Sequence, residues 1–207
     1  MTADVVLTAE SKEWPLIPAK MKAPTVLHVR GAVATLRAPV RLAIVGARAA
    51  PPWACAWAFA QGEIAARAGV VVVSGLALGI DAAAHRGALA GGGVTVAVLA
   101  HGLHMVFPAV HSALAAEIVA TGGALVTEYA PGTPPLPRQF VLRDRIQAML
   151  SDRVLLVYSE VDGGAMHTAK FARKAGIPVL VPPAGLGDRG GGVERLLQRG
   201  EAEEWAG

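Results

Sequence analysis

Four groups of residues in this sequence have types and spacings that suit holding an anion. The first is Ser74-Gly75, followed by Gly79, Asp81 and His85. Serine and glycine let a backbone turn tightly and approach a ligand closely. Asp81 falls where a helix would begin, so its carboxylate can cap or complement the first turn. A turn between a strand and a helix leaves backbone N–H groups unpaired, and the helix dipole there favours negative charge. The same turn can also be an ordinary connection that binds nothing, and the residues leave both readings open. Asp81 and His85 are i,i+4 and can face one another on a helix. A carboxylate–imidazole pair can move protons, but no nucleophile or metal-ligand cluster accompanies this one, so the expected role is structural, at the edge of a phosphate site.

The second group is Gly46 with Arg48, just beyond an apolar run. An arginine there can form paired hydrogen bonds with a phosphate, and its alternative is surface packing against a neighbouring loop. The third is Arg143 with Arg145, two residues apart and therefore not on one helical face. One can meet a ligand while the other pairs with Asp144 or Glu128; the alternative is a solvated charged turn. The fourth is Gly163-Gly164 with Thr168, a second helix start with a hydroxyl one turn in. No catalytic residue, metal or cofactor is assigned. His101, His104 and His111 lack a carboxylate or cysteine at ligand spacing. The single cysteine, Cys55, excludes an intrachain disulfide and reads as a core filler. Trp53 and Trp57, one helical turn apart, read as a buried stripe rather than a base-stacking platform.

These residues need elements to position them, and the chain supplies a regular alternation. Val70 to Val73 is a strand buried on both faces. Further strands are expected at Arg41–Gly46, Thr95–Ala100, Ala124–Tyr129, Asp152–Ser159 and Pro178–Pro182. Helices are expected at Trp53–Ala68, from Asp81 to Leu89, His111–Thr121, Gln139–Leu150, from Gly163-Gly164 to Ala175 and Val193–Arg199, most of them ended by glycine. Residues 1–38 form a leader with a short strand ending at Gly31, and residues 39–207 form the core domain. Such β-α alternation implies an α/β fold: a mostly parallel sheet with helices on both faces. The turns after Gly46, Ser74, Ala100, Tyr129 and Ser159 then share one rim, where such sheets bind ligands.

Composition agrees. Of 207 residues, 53% are hydrophobic and 17% charged, enough for a large core and unlike a disordered chain. A net charge of +3 leans only slightly towards polyanions. Asp4 and Glu10 interrupt the N-terminus, so no signal peptide is expected, and no apolar run is long and uncharged enough to span a membrane. The expected location is cytoplasmic.

Taken together, the residues resemble the DNA-processing protein A family (DprA, or Smf) from about Trp14 to Leu197. Its signature is similar to Ser74-Gly75-Leu76-Ala77-Leu78-Gly79-Ile80-Asp81 with Ala84-His85. Its leader resembles Trp14-Pro15 and Pro24 to Gly31, and its first strand and turn resemble Ala43 to Arg48. Phe107-Pro108, Glu128-Tyr129 and Phe140 to Ile146 look like later landmarks. The resemblance implies an extended Rossmann-like domain that binds single-stranded DNA without catalysis, acts in DNA uptake, helps load a RecA-type recombinase and forms homodimers. The C-terminal helix and the strand at Pro178–Pro182 are the expected dimer contact. The chain departs from the family at Leu78 (usually arginine), Asp144 (usually asparagine) and Gly163-Gly164-Ala165 (usually Ser-Gly-Ser). A related branch of the superfamily binds or cleaves nucleotides, so a nucleotide sensor or hydrolase using the same rim is the alternative. That branch's Pro-Gly-Gly-x-Gly-Thr-x-x-Glu motif is echoed only by Pro131-Gly132-Thr133.

Overall fold

The apolar runs of the sequence, with shorter segments near both ends of the chain, become the strands of one nine-stranded sheet in the computed structural model, which describes residues 4–206. Residues 1–3 of the leader lie outside it. In chain order the elements are β1 (Val5–Leu7), β2 (Leu27–Gly31), β3 (Arg41–Val45), α1 (Pro52–Arg67), β4 (Val71–Ser74), α2 (Ile80–Ala90), β5 (Thr95–Val98) and α3 (Ser112–Ala120). There follow β6 (Ala124–Thr127), α4 (Pro137–Met149), β7 (Arg153–Leu156), α5 (Ala165–Ala175), β8 (Val179–Val181), α6 (Gly191–Gln198) and β9 (Glu203–Glu204). Pro52 opens α1 at a position where its missing N–H costs nothing. Gly176, at φ +78°, ends α5 in the left-handed region.

The strand order is β1-β2-β6-β5-β4-β3-β7-β8-β9. From β3 the chain winds outward through β4, β5 and β6, then returns to the other side of β3 for β7 and β8. The neighbours β3 and β7 therefore mark the switch point, and their C-terminal ends open a crevice. The strands from β3 to β9 pair in parallel, while β1 and β2 add an antiparallel margin to β6. On β2, Leu27 and Val29 are buried while His28 and Arg30 are not, the alternation of a strand covered on one face.

Alternate residues of the central strands feed two layers. Ala43, Val45, Val73, Val98, Val154 and Leu156 pack with α4, α5 and α6. Leu42, Ile44, Val72 and Leu155 pack with α1 and α2. Farther along that second face, Ala97, Leu99 and Leu125 meet α2 and α3. The expected α/β architecture, with helices on both faces, is the one observed. Trp53 and Trp57 lie half-buried against the α1–α2 layer, the stripe their spacing suggests.

Two features differ from the expectations. The N-terminal stretch before Glu13 contributes β1, and the C-terminal tail contributes β9. The strand at Pro178–Pro182 is also no open edge, because β9 pairs with it through Leu180–Glu203 and Val181–Glu204. Its three residues are buried, as are Val193 and Leu196 of α6. The apolar surface expected to form a dimer contact there is consumed within the fold.

Candidate phosphate-binding cleft

Beyond β3 and β7 lies a cleft of about 660 Å³. One wall is the β3–α1 connection, Gly46 to Arg48; another is the start of α5, Gly163 to Thr168; and α4 contributes Phe140, Val141, Arg143, Asp144 and Gln147. Ala77 and Asp81 close it from the β4–α2 turn, and Phe107 from the β5–α3 connection.

The two loops beside β3 are locked together. The Ala47 N–H donates to the Tyr158 carbonyl at 3.0 Å, and the Ala47 carbonyl accepts from the Ile80 N–H at 3.4 Å. Gly79 stands at φ +72° with the Arg48 and Ala47 carbonyl oxygens occupying the place a Cβ would take. This close approach places Arg48 in the wall. Its guanidinium carbon lies 4.9 Å from the centroid of the Phe140 ring, a cation–π contact. Phe107 leans on Phe140 at 5.9 Å between centroids, tilted by 59°. Arg48 has no ion-pair partner among the described residues, so it is the cation of the cleft that remains free to meet an anion.

The floor is built differently from the expectation. The β4–α2 turn was expected to offer its amides to a ligand, but the protein uses them itself. The Gly75 N–H donates to Asp81 Oδ2 at 3.1 Å and the Leu76 N–H to His85 Nε2 at 3.3 Å. The acceptor that fills this turn is the protein's own Asp81 carboxyl. Ser74 is fully buried, and its hydroxyl donates to the Ile44 carbonyl at 2.7 Å. His85 is also fully buried and does not reach the cleft; its Nδ1 bonds Thr95 Oγ1 at 2.7 Å. Nor do Asp81 and His85 bond one another. His85 holds Leu76 in a left-handed conformation, φ +60°, while His111 Nδ1 donates to the Leu76 carbonyl at 2.8 Å. Burial, with the positive field of neighbouring His111 and Arg143, pushes the His85 imidazole down to about 3, so it works as a neutral bracket. The other histidines are separate: His101 Nδ1 donates to the Gly102 carbonyl at 2.9 Å, and His104 Nδ1 accepts from the Gly132 N–H at 3.0 Å.

Neither Arg143 nor Arg145 of α4 is free. Arg143 is buried, and its Nη1 donates to the Gly75 and Val98 carbonyls, both at 2.7 Å, while its Nε meets Asp144 Oδ1 at 3.1 Å. Arg145 forms a fork with Glu128 at 2.7 and 2.5 Å and does not line the cleft. Both partners named by the sequence are thus engaged at once, by different arginines. Gln147 satisfies both amide atoms when its oxygen shares the Gly75 N–H with Asp81 Oδ2, at 2.9 Å, and its nitrogen faces Asp144 Oδ1 at 3.1 Å and Thr168 Oγ1 at 3.3 Å. Gly163 and Gly164 lead into α5 at the opposite wall, where the Met166 and His167 N–H groups turn back on the Gly163 and Gly164 carbonyls at 3.1 and 3.0 Å, while the Gly164 and Ala165 N–H groups have no backbone partner among the described residues. Burial raises the Asp81 carboxyl above the usual range against the pull of Arg143, and raises Asp144 to about 7. Phe107 and Phe140 appear in the sequence only as family landmarks; nothing local marks them as cleft walls, because their pairing depends on α4 folding back over the rim.

A doubly wound α/β domain with a cationic, aromatic-walled cleft at its switch point belongs to the class that holds ligands at that crevice. Comparison with known proteins narrows the class. The family described as DNA recombination-mediator protein A matches residues 5–206. Protein Smf of Escherichia coli is 37% identical over 197 residues, which cover 94% of this chain and 52% of that protein. DNA processing protein A from Helicobacter pylori, whose structure is described for its single-stranded DNA binding mode, superposes with a TM-score of 0.86 at 26% identity, over 100% of this chain and 92% of that one. DprA from Streptococcus pneumoniae superposes with a TM-score of 0.84 at 30% identity, over 97% and 70% respectively. The chain belongs to the DNA processing protein A family. It spans about half the length of the Escherichia coli relative.

Proposed function

We propose that this domain binds single-stranded DNA, with a backbone phosphate seated in the cleft between Arg48 and the start of α5, and catalyses no reaction on it. The observation that carries the reading is Arg48, held over Phe140 in the cleft wall with no acidic partner among the described residues. Phe107 beside it, partly exposed, offers a base a stacking face. The Helicobacter pylori relative, described as binding single strands, supports the same ligand class.

Arg48→Ala is expected to weaken binding of a fluorescent oligonucleotide about tenfold or more, since a charged hydrogen bond is worth roughly 1.5–3 kcal/mol and 1.4 kcal/mol is one decade. Arg145→Ala is expected to bind as the parent does, because Glu128 already holds that guanidinium. Anisotropy titrations at two salt concentrations check this, and parental binding should weaken as salt rises. Equal binding by Arg48→Ala and parent would move the phosphate elsewhere; no parental binding at low salt would end the reading. A nucleotide-specific thermal shift with no response to oligonucleotides would favour the sensor or hydrolase alternative.

The wider role proposed is cytoplasmic: protecting incoming strands and handing them to a RecA-type recombinase, as a homodimer. The family's description as a recombination mediator supports it. Light scattering at micromolar concentration is expected to give twice the chain mass, and the protein is expected to speed recombinase filament growth on single strands. A monomer at all concentrations removes the first claim, and an unchanged filament rate removes the second.

A further inference from the structure

We propose that Asp144 is a ligand-contacting residue that works in its neutral form, donating its carboxyl proton to the phosphate oxygen beside Arg48, so that filling the cleft takes up a proton. The inference rests on the reading of this cleft as a phosphate site.

Two carboxylates, Asp81 from α2 and Asp144 from α4, flank one guanidinium in the cleft floor. Arg143 bonds Asp144 through Nε, but its Nη1 is spent on the Gly75 and Val98 carbonyls. Both acids are at least nine-tenths buried, so one fixed positive charge faces two negative ones with little water to screen them. Groups this close do not both ionise freely.

The hydrogen bonds point to the carboxyl that shares its proton with a ligand. Asp81 Oδ2 accepts from the Gly75 amide, deep in the turn. Asp144 Oδ1 takes both available donors, Arg143 Nε at 3.1 Å and the Gln147 amide nitrogen at 3.1 Å. Asp144 Oδ2 has no hydrogen-bond partner among the described residues, and Asp144 lines the cleft. An ionised Oδ2 repels a phosphate seated in the cleft; a protonated one can donate to it. The charged and titratable groups around it are Arg143 on its own helix, Asp81 from α2, Arg48 from the β3–α1 connection, and His167 of α5, which also lines the cleft. The net effect of burial and Asp81 against Arg143 and Arg48 puts the Asp144 carboxyl at about 7, where the proton is available without strong acid.

The test is binding of an oligothymidylate, whose phosphates keep their charge from pH 6 to 8.5, at one ionic strength. Parental affinity is expected to fall about tenfold across that range, because ionising Asp144 removes a donor and adds a repulsion. Asp144→Asn keeps the shape and presents an amide donor at every pH, so its affinity should be flat and should exceed the parent's at pH 8.5. His167→Gln should keep the parental slope. Calorimetry in two buffers of different ionisation enthalpy should show proton uptake on binding at pH 7.5 by the parent and none by Asp144→Asn. A parental slope that survives in Asp144→Asn, or that disappears in His167→Gln, overturns the proposal, as does binding without proton uptake. Those results leave single-strand binding standing; absence of binding at every pH defeats the phosphate site itself and this inference with it.

Discussion

Arg143→Ala is expected to lower the unfolding free energy by about 3–5 kcal/mol, the loss seen when one partner of a buried ion pair is removed. The guanidinium joins three elements: it donates to the Gly75 carbonyl after β4, to the Val98 carbonyl at the end of β5, and to Asp144 on its own helix. Removing it leaves two carbonyls without their charged donor and two buried carboxyls without their compensating charge. The loss should depend on pH, with a sign fixed by linkage. A carboxyl whose folded pKa is raised contributes stability at low pH that disappears as pH rises through that pKa. Asp81 and Asp144 are already raised in the parent, and without Arg143 both rise further. The deficit of Arg143→Ala should therefore be larger at pH 8 than at pH 5. Urea unfolding at both pH values measures it through the midpoint at unchanged slope. Asp144→Asn in the Arg143→Ala background should recover part of the loss at pH 8. A midpoint that matches the parent at pH 8 would mean that the floor of the cleft is solvated after all.

The sheet was legible because its signals are local. Four consecutive valines, repeated glycine stops and helical runs of alanine place the central strands and helices to within about three residues of where they lie. β1 and β9 were not legible. Val5–Leu7 is too short to show a period, and Glu203–Glu204 carries no apolar residue, so both are strands only because a neighbour offers backbone partners. The same cause hid the fate of the C-terminal apolar surface: β9 caps β8, and no residue type in the tail announces it.

In the cleft, residue types were legible and their partners were not. A strand, a Ser-Gly turn and a helix start suggest open amides, and the sequence places Asp81 there as a helix cap. That the same carboxylate turns back on Gly75 is a tertiary fact, as is the use of His85 and His111 to hold Leu76. Arg143 and Arg145 could not be separated by spacing alone; depth decides between them, since Arg143 runs under the sheet's rim while Arg145 meets Glu128 beside it. Asp144 reads from sequence as a fixed repulsive charge. Its burial beside Asp81 makes it a group that ionises near neutrality, so the effect of Asp144→Asn on binding becomes a function of pH.

Gly79→Ala is expected to cost roughly 3 kcal/mol of stability, and to weaken oligonucleotide binding in the fraction that remains folded. The residue sits at φ +72°, ψ −124°, a region a side chain enters only with strain of order 1–3 kcal/mol. A methyl group there would also strike the carbonyl oxygens of Arg48 and Ala47. These are backbone atoms, so no rotamer change relieves the collision; the β3–α1 connection must move. That connection is tied to Ile80 by the Ala47 carbonyl and carries Arg48 over Phe140, so moving it both loosens the start of α2 and shifts the free cation of the cleft. Gly164→Ala is the matching control. It also lies in the cleft wall, but its φ of −55° is helical and nothing stands within 4 Å of an added Cβ, so its stability should stay within about 0.5 kcal/mol of the parent. Urea midpoints and anisotropy titrations on both variants make the comparison. If Gly79→Ala unfolds with the parent's midpoint, the contact between the β3–α1 connection and the β4–α2 turn is looser than described, and Arg48 is not held in place by it.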